Sequence, residues 1–329
     1  MSSKRILLLV HKDLVPPENI DTEPDRFQTP WLTEYDVKFT LIELGYEVEV
    51  FGLIDDLDSL IFKLKEFNPH VVFNLLEEFN YDTRSDYKVI ALLDMMGIKY
   101  TGCNPKGLLL ARDKALSKKI LKHHKLGTAN FFTFPRNKKR KIPKNLKYPL
   151  IVKCLFEEAS YGIAKASVVS TEEKLKERIE YIHQKLEQDA IIEEFIEGRE
   201  FYVGITGNKQ LTTFPIWELQ FNNVESPEKE IYSSRAKWNK DYRERKGIDN
   251  GPAILDKPTE DKIIKACKKT YQVLELSGYA RIDLRLTPDN RIFILEANPN
   301  PNIAWDDEFA KSAAHAEVNY KDLIQGLLP

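Results

Sequence analysis

Long apolar runs are missing from this sequence. No stretch approaches the ~20 residues that a membrane-spanning helix needs. The apolar run at 6–10 follows a basic start and is too short for a signal peptide, so it reads as a first buried strand. Cysteine is scarce: Cys103, Cys154 and Cys267 lie far apart and no CxxC occurs. That argues against a disulfide framework or a zinc site and fits a reducing cytoplasm. The six histidines form no HxxxH pair, and the adjacent His123 and His124 would point apart on a helix. An excess of one charge is missing too. With 49 basic and 51 acidic residues the net charge is −2, which gives no whole-chain argument for nucleic acid or a membrane as partner.

What is present is an ordinary globular composition, 42% hydrophobic and 30% charged, over 329 residues, enough for two or three domains. The first ~110 residues alternate in a βα manner: "RILLLV", a helical "EYDVKFTLIELG", "YEVEVFGL", "LDSLIFKLKEF", "HVVFNLL" and "SDYKVIALLDMMG". This predicts a parallel sheet with ligand groups at the strand C-termini. The proline-containing segment 11–33 lacks periodicity and reads as a functional or disordered insertion. A helix is expected over 105–127, ending at Gly127. The basic run 136–147 has no interleaved aromatics and reads as a solvated loop rather than a nucleic-acid patch. Segments 149–155, 190–196 and 199–207 read as strands of a second, antiparallel domain. The stretch 218–252 reads as polar and loop-rich, before a helix at 258–276. The boundaries expected are 1–110, 111–207 and 208–329.

The chemistry concentrates near the C-terminus. "YARIDLRL" (279–286) and "RIFILEAN" (291–298) flank the turn signal "TPDN". A turn centred between Asp289 and Asn290 sets Asp283 opposite Glu296 and Arg281 opposite Asn298. Arg281 and Asp283 then share one face, as do Glu296 and Asn298. Like charges directly opposite are destabilising, and a hard cation between them removes the conflict. Asp283, Glu296 and the Asn298 amide oxygen suit Mg²⁺, with Mn²⁺ as the alternative ion and phosphate oxygens completing the shell. Arg281 beside them would stabilise charge on a phosphoryl or acyl group; a plain salt bridge with a hairpin acid is the other reading.

"ARIDLRL…RIFILEAN" resembles the closing motif of ATP-grasp enzymes, and the chain after 11–33 is similar to their D-alanine–D-alanine ligase branch. The resemblance implies an α/β (α+β) ATP-grasp fold: an N-terminal parallel-sheet domain, then two α+β subdomains sandwiching ATP. Lys114 in "ARDK" and Lys153 in "IVKC" match the family lysines that hold nucleotide phosphates. "FEEASYG" stands where the family has its glycine-rich phosphate loop. Ser160 matches a family serine there, but Glu158 replaces a usual glycine. In "IIEEFIEGREF", Glu193 would accept from the adenine amino group, backbone at Phe195 and Ile196 would read the base edge, and Glu200 would bind ribose. Lys237 in "SRAKW" would touch the transferred phosphate; a loop lysine is the bland reading.

The implied reaction phosphorylates a carboxylate with ATP. An amine then attacks the acyl phosphate to give an amide, ADP and phosphate. The implied partners are a small-molecule carboxylate and amine, amino acid or peptide, with no nucleic acid and no membrane; a homodimer is implied by analogy with relatives. Glu34 in "TEYDV" is the counterpart of the glutamate that grips the donor amine, or the first turn of a helix capped by Thr33. Asn302 replaces a family glycine, and Asp307 falls at the acceptor's carboxylate position. Aspartate there would repel a carboxylate and attract an amine or guanidinium; Asp307 also suits the charged start of a helix. The reading is therefore an ATP-dependent carboxylate–amine ligase whose acceptor differs from D-alanine. The alternatives are D-alanine–D-alanine ligase itself and an ATP-binding regulatory protein without catalysis.

Overall fold

The computed structural model describes residues 4–20, 29–138, 140–143, 146–157 and 161–329. The chain opens with β1 (Arg5–His11), α1 (Leu32–Glu43), β2 (Glu47–Leu53), α2 (Leu57–Phe67), β3 (Val71–Asn74) and α3 (Asp86–Met95). Their strands form the expected parallel sheet, in the order β2-β1-β3. Residues 6–10 are buried throughout, which is why β1 reads as an unbroken apolar run rather than an alternating one. Of the insertion 11–33, residues 21–28 lie outside the described residues.

Two helices, α4 (Pro105–Arg112) and α5 (Lys114–His123), replace the single one expected over 105–127. Asp113 breaks it. Its backbone turns to ψ 97°, and its carboxylate accepts from the N–H groups of Ala115 and Leu116. A short acidic side chain offers such a local alternative to the helix. The break leaves Lys114 as the first residue of α5. Gly127 does not end the helix, which stops earlier with Lys125 in a left-handed conformation.

A four-stranded antiparallel sheet follows, built from β4 (Phe131–Phe134), β5 (Leu150–Cys154), β6 (Val168–Val169) and β7 (Ala190–Glu194), in the order β4-β7-β5-β6. Here α6 (Glu172–Lys185), N-capped by Thr171, packs on it. This layer has its own core, around Leu150, Val152, Leu175 and Ile192.

The remainder holds β8 (Arg199–Thr206), β9 (Thr212–Thr213), β10 (Trp217–Phe221), α7 (Ser234–Trp238), α8 (Lys240–Lys246), β11 (Ile248–Pro252), α9 (Lys257–Val273), β12 (Tyr279–Leu286), β13 (Ile292–Pro299), α10 (Glu308–His315) and α11 (Tyr320–Gly326). Its strands make one antiparallel sheet ordered β11-β10-β8-β12-β13, with β9 on β8. Two sequence readings are corrected here. β8 does not join β7. It pairs along its whole length with β12, because Phe201, Val203 and Ile205 complete a core with Ile282 and Leu284. The stretch 218–252 is not mainly loop. It holds most of β10, then α7, α8 and β11 around Leu219, Phe221, Ala236, Tyr242 and Ile248, and its many charges conceal that apolar set. One core runs from Leu7 and Leu9 of β1 through Val203 to Ile282, so the parallel sheet and the large antiparallel sheet are joined. No helix among the described residues is long and apolar enough to cross a membrane.

Gly127 serves a contact between these layers. Its carbonyl accepts from the Ile294 N–H at 2.8 Å, and a methyl in its place would overlap the Ile292 carbonyl. Gly127→Ala is expected to lower stability by about 1–3 kcal/mol, read as a lower denaturant midpoint. An unchanged midpoint would show that β13 moves aside freely.

Candidate active site

The two antiparallel sheets enclose a cleft of about 310 Å³. Its centre is the β12–β13 hairpin. Asp283 lies opposite Glu296 and Arg281 opposite Asn298, the expected pairing, but it arises by another route. Near the turn, Leu286 faces Ile292 and Leu284 faces Ile294, which centres the turn on Asp289. The register then shifts by one residue between Leu284 and Asp283, and Leu295 is the extra residue. A bulge of this kind re-aims side chains. Here it lets consecutive residues, Leu295 and Glu296, both line the cleft.

Arg281 forks onto Asp283 through Nε and Nη2 at 2.8 and 2.9 Å, the salt bridge left open by the sequence. Its Nη1 stands 3.9 Å from Glu308, and its guanidinium lies over Tyr202. The Asn298 amide nitrogen donates to Asp283 at 3.0 Å, which directs its oxygen away from that bond. Burial pushes Asp283 up, Arg281 opposes it and Glu296 adds to the rise, leaving a pKa of about 7. Burial also disfavours charge on Glu296, but Lys114, Lys153 and Arg281 outweigh it and hold it below the ordinary range. The two carboxylates and one amide fit a small hard cation. No cluster of three or more His, Cys, Asp or Glu suited to a metal occurs among the described residues, so the protein would supply few ligands and the substrate the rest, as Mg²⁺ tolerates.

The other cleft walls hold the nucleotide candidates. Lys114 donates to the Glu157 carbonyl and stands 4.0 Å from Glu296. Lys153 donates to Glu193 Oε2 at 3.2 Å. Burial works against the charge on Glu193, but Lys118 and Lys153 together pull its pKa below the ordinary value. Among the described residues no hydrogen-bond donor serves Glu193 Oε1. Ile151, Ile163, Phe195, Ile196, Ile231 and Leu295 line an apolar slot beside it. An apolar slot bordered by one buried carboxylate fits a purine carrying an exocyclic amino group. The Phe195 N–H is taken by the Pro149 carbonyl, and the Ile196 carbonyl by Arg285. The Glu200 carboxylate lines the cleft, held by Arg285 and the Tyr202 hydroxyl. Lys237 reaches the cleft from α7, which Arg243 braces through the Tyr232 hydroxyl and the Ala236 carbonyl. Ser160 and Glu158 lie outside the described residues.

The remaining candidates sit differently. Asn302 lines the cleft, and its Oδ1 accepts from the Thr33 hydroxyl at 2.9 Å and the Ala304 N–H at 2.8 Å. Thr33 is no helix cap, because it lies inside α1; the N-cap position is Trp31, which makes no side-chain cap bond, and the Thr33 hydroxyl goes to Asn302 instead. Glu34 is buried in the first turn of α1 rather than along the cleft wall. Asp307 also stays off the wall. It caps α10, accepting from the Glu308 N–H, and is 4% exposed. Burial and Glu308 push its pKa well up, while its hydrogen bond, Arg281 and Lys237 outweigh burial at Glu308 and hold that carboxylate ionised.

Three groups at the site were not singled out from the sequence: Lys118, Arg243 and Arg285. Arg285 had a signal, because it continues the period of two through Arg281 and Asp283. Lys118 had none beyond its helical spacing from Lys114.

The family described as "D-ala D-ala ligase C-terminus" matches residues 118–329. This chain is 30% identical to a D-alanine–D-alanine ligase of Aquifex aeolicus over 284 residues, 86% of this chain and 89% of that protein. It is 30% identical to the uncharacterized protein y4sG of Sinorhizobium fredii over 258 residues, 78% of this chain and 73% of that protein. Its fold matches a crystal structure of D-alanine–D-alanine ligase from Bacillus anthracis complexed with ATP. The TM-score is 0.75 at 21% identity, over 99% of this chain and 96% of that one.

Glu34 gives the site a pH signature. Burial, reinforced by Glu77 and Asp36, pushes its pKa from 4.5 to about 8. The folded pKa exceeds the unfolded one, so between them the unfolded chain releases a proton that the folded protein keeps. Stability therefore falls as pH rises through this window and levels off above it, a loss on the order of 5 kcal/mol in total. Between pH 6.5 and 8, above the window of the less shifted Asp36, Glu34→Gln should flatten the fall in melting temperature. An identical slope in the variant would mean that Glu34 is already ionised.

Proposed function

The chain belongs to the D-alanine–D-alanine ligase family of ATP-grasp enzymes and is an ATP-dependent ligase forming C–N bonds; from that premise we propose that it joins a small carboxylate to an amine acceptor other than D-alanine. The carboxylate oxygen takes the terminal phosphoryl group of ATP and ADP departs. The amine nitrogen then attacks the acyl carbon, phosphate leaves with the acyl C–O bond electrons, and the amine loses a proton.

The residues divide this work by charge. Lys114 and Lys153 offer counter-charges to the phosphates. Arg281 and Lys237 face charge developing on the transferred phosphoryl group and on the acyl carbon's oxygen. Asp283, Glu296 and Asn298 would hold Mg²⁺, with Mn²⁺ able to replace it; the ion supplies Lewis-acid neutralisation of phosphate charge when bound. Glu193 and the backbone at Phe195 and Ile196 would take the base, and Glu200 the ribose. Asn302 borders the donor's end, and Glu34, buried off the cleft wall, keeps only the role that the resemblance gives it. Ser160 keeps the phosphate-loop role that the resemblance gives it. The family's soluble chemistry fits a cytoplasmic enzyme acting on amino acids or peptides, and a homodimer is carried over by analogy.

The acceptor reading rests on the buried Asp307–Glu308 pair beside Arg281 and Lys237. Of the two, Glu308 is the ionised one, 3.9 Å from Arg281, and this supports the reading because an anion there would disfavour an acceptor carboxylate near Arg281. An acceptor bearing an amine or guanidinium, or lacking a carboxylate, suits it better. The relatives named D-alanine–D-alanine ligase favour D-alanine itself as the second reading. The full set of cleft cations and acids argues against an inactive nucleotide sensor.

ADP release decides between the two acceptors. D-alanine alone should give little turnover, and an amine panel with mass spectrometry of the product should find a better acceptor. Robust turnover on D-alanine alone would sink the proposal. Asp283→Asn and Glu296→Gln should each lower turnover by about 100-fold or more with the fold intact. Near-normal rates in either would remove the metal assignment.

A further inference from the structure

Lys118 is only 1% exposed, as is Glu193 beside it, yet it does not line the cleft wall. A lysine buried this deeply needs partners that repay its lost hydration. It has three. Its Nζ donates to the Leu295 carbonyl at 2.9 Å, contacts the Thr128 hydroxyl at 3.3 Å and stands 3.4 Å from Glu193 Oε1.

Two of these partners belong to different parts of the site. Leu295 is the extra residue of the bulge that turns Glu296 into the cleft. A bulged residue leaves the regular ladder, and its carbonyl needs another donor. Glu193 lies on the opposite sheet. Its Oε1 is buried against Lys118, which neutralises the carboxylate from behind and leaves the Oε2 side of Glu193 to face the cleft. Lys153 holds the other oxygen, Oε2, from a separate strand.

We propose that Lys118 is a positioning and specificity residue: it fixes Glu193 as an ionised acceptor for the 6-amino group of adenine and ties that acceptor to the bulge presenting Glu296. The proposal rests on the reading of Glu193 as the base-recognising residue. A 6-amino purine donates to the cleft side of the Glu193 carboxylate. A 6-oxo purine presents an oxygen there instead and meets like charge. Lys118 thus links the choice of base at one end of the nucleotide to the placement of a carboxylate at the other.

Equilibrium binding of ATP and of inosine triphosphate, without carboxylate or amine substrates, tests this in the full-length protein. Wild type should bind ATP at least about tenfold tighter than the 6-oxo analogue. Lys118→Met should weaken ATP far more than the analogue, so that the ratio falls toward one. Lys118→Arg should restore part of it. A merely structural lysine would weaken both nucleotides alike, and an unchanged ratio in Lys118→Met overturns the proposal. Should that variant fail to fold, Lys118→Gln carries the same test, since it keeps a neutral donor for the Leu295 carbonyl and removes only the charge. A wild type without preference overturns the reading of Glu193 itself, and the proposal with it.

Discussion

Asp283 and Glu296 face each other across one hairpin, and most of the site follows from that opposition. Two carboxylates directly opposite on a sheet repel. Ordinary alternation would not have kept both within reach of one cleft together with Leu295. The bulge does so, by displacing the register one residue after Leu284. The conflict is then moderated from several directions. Arg281 forks onto Asp283, and Lys114 and Lys153 favour ionised Glu296. The moderation is incomplete, since Asp283 still sits near a pKa of 7. A site tuned in this way gains from a further positive charge, which is the physical content of the proposed metal.

The two sheets divide the labour. The four-stranded sheet contributes Lys153 and Glu193 on neighbouring strands, backed by its own core. The large sheet contributes Arg281, Asp283, Glu296 and Asn298, backed by a core that it shares with the N-terminal strands. Lys114 comes from neither. It stands at a helix start created by Asp113, so one capping residue places one cleft cation. At the far end, Thr33 bonds Asn302 and Asp36 accepts from the Trp305 N–H at 3.1 Å. These bonds stitch the end of the 11–33 insertion to the loop after β13.

The sequence was most legible where periodicity and burial agree. The N-terminal βα units and the Asp283–Glu296 pairing could be read from it, although the pairing came from an assumed turn centre and the observed one differs. Two offsets cancel: the turn shifts by half a residue pair and the bulge restores the count. Partner choice was not legible. β8 looks like a companion of β7, yet its apolar face completes a different core. The 218–252 stretch hid its strands beneath charge. The roles of Asp113 and Gly127 do not show in the local pattern, because capping and close approach depend on neighbours. Lys118 looked like any helical lysine; only the fold sets it between Leu295 and Glu193. Of the two readings of Asp307, the helix start is the one seen: it caps α10 beside Glu308.

The central claim is that the hairpin holds a divalent cation between its two acids. A crystal structure with Mn²⁺ and a non-hydrolysable ATP analogue tests it most directly, through the anomalous signal of the metal. The account predicts a metal ligated by Asp283, Glu296 and the Asn298 amide oxygen at about 2.1 Å, with phosphate oxygens completing the shell. A nucleotide bound in the cleft with its metal on other residues, or with Arg281 still forked on both oxygens of Asp283 and no metal there, would contradict it.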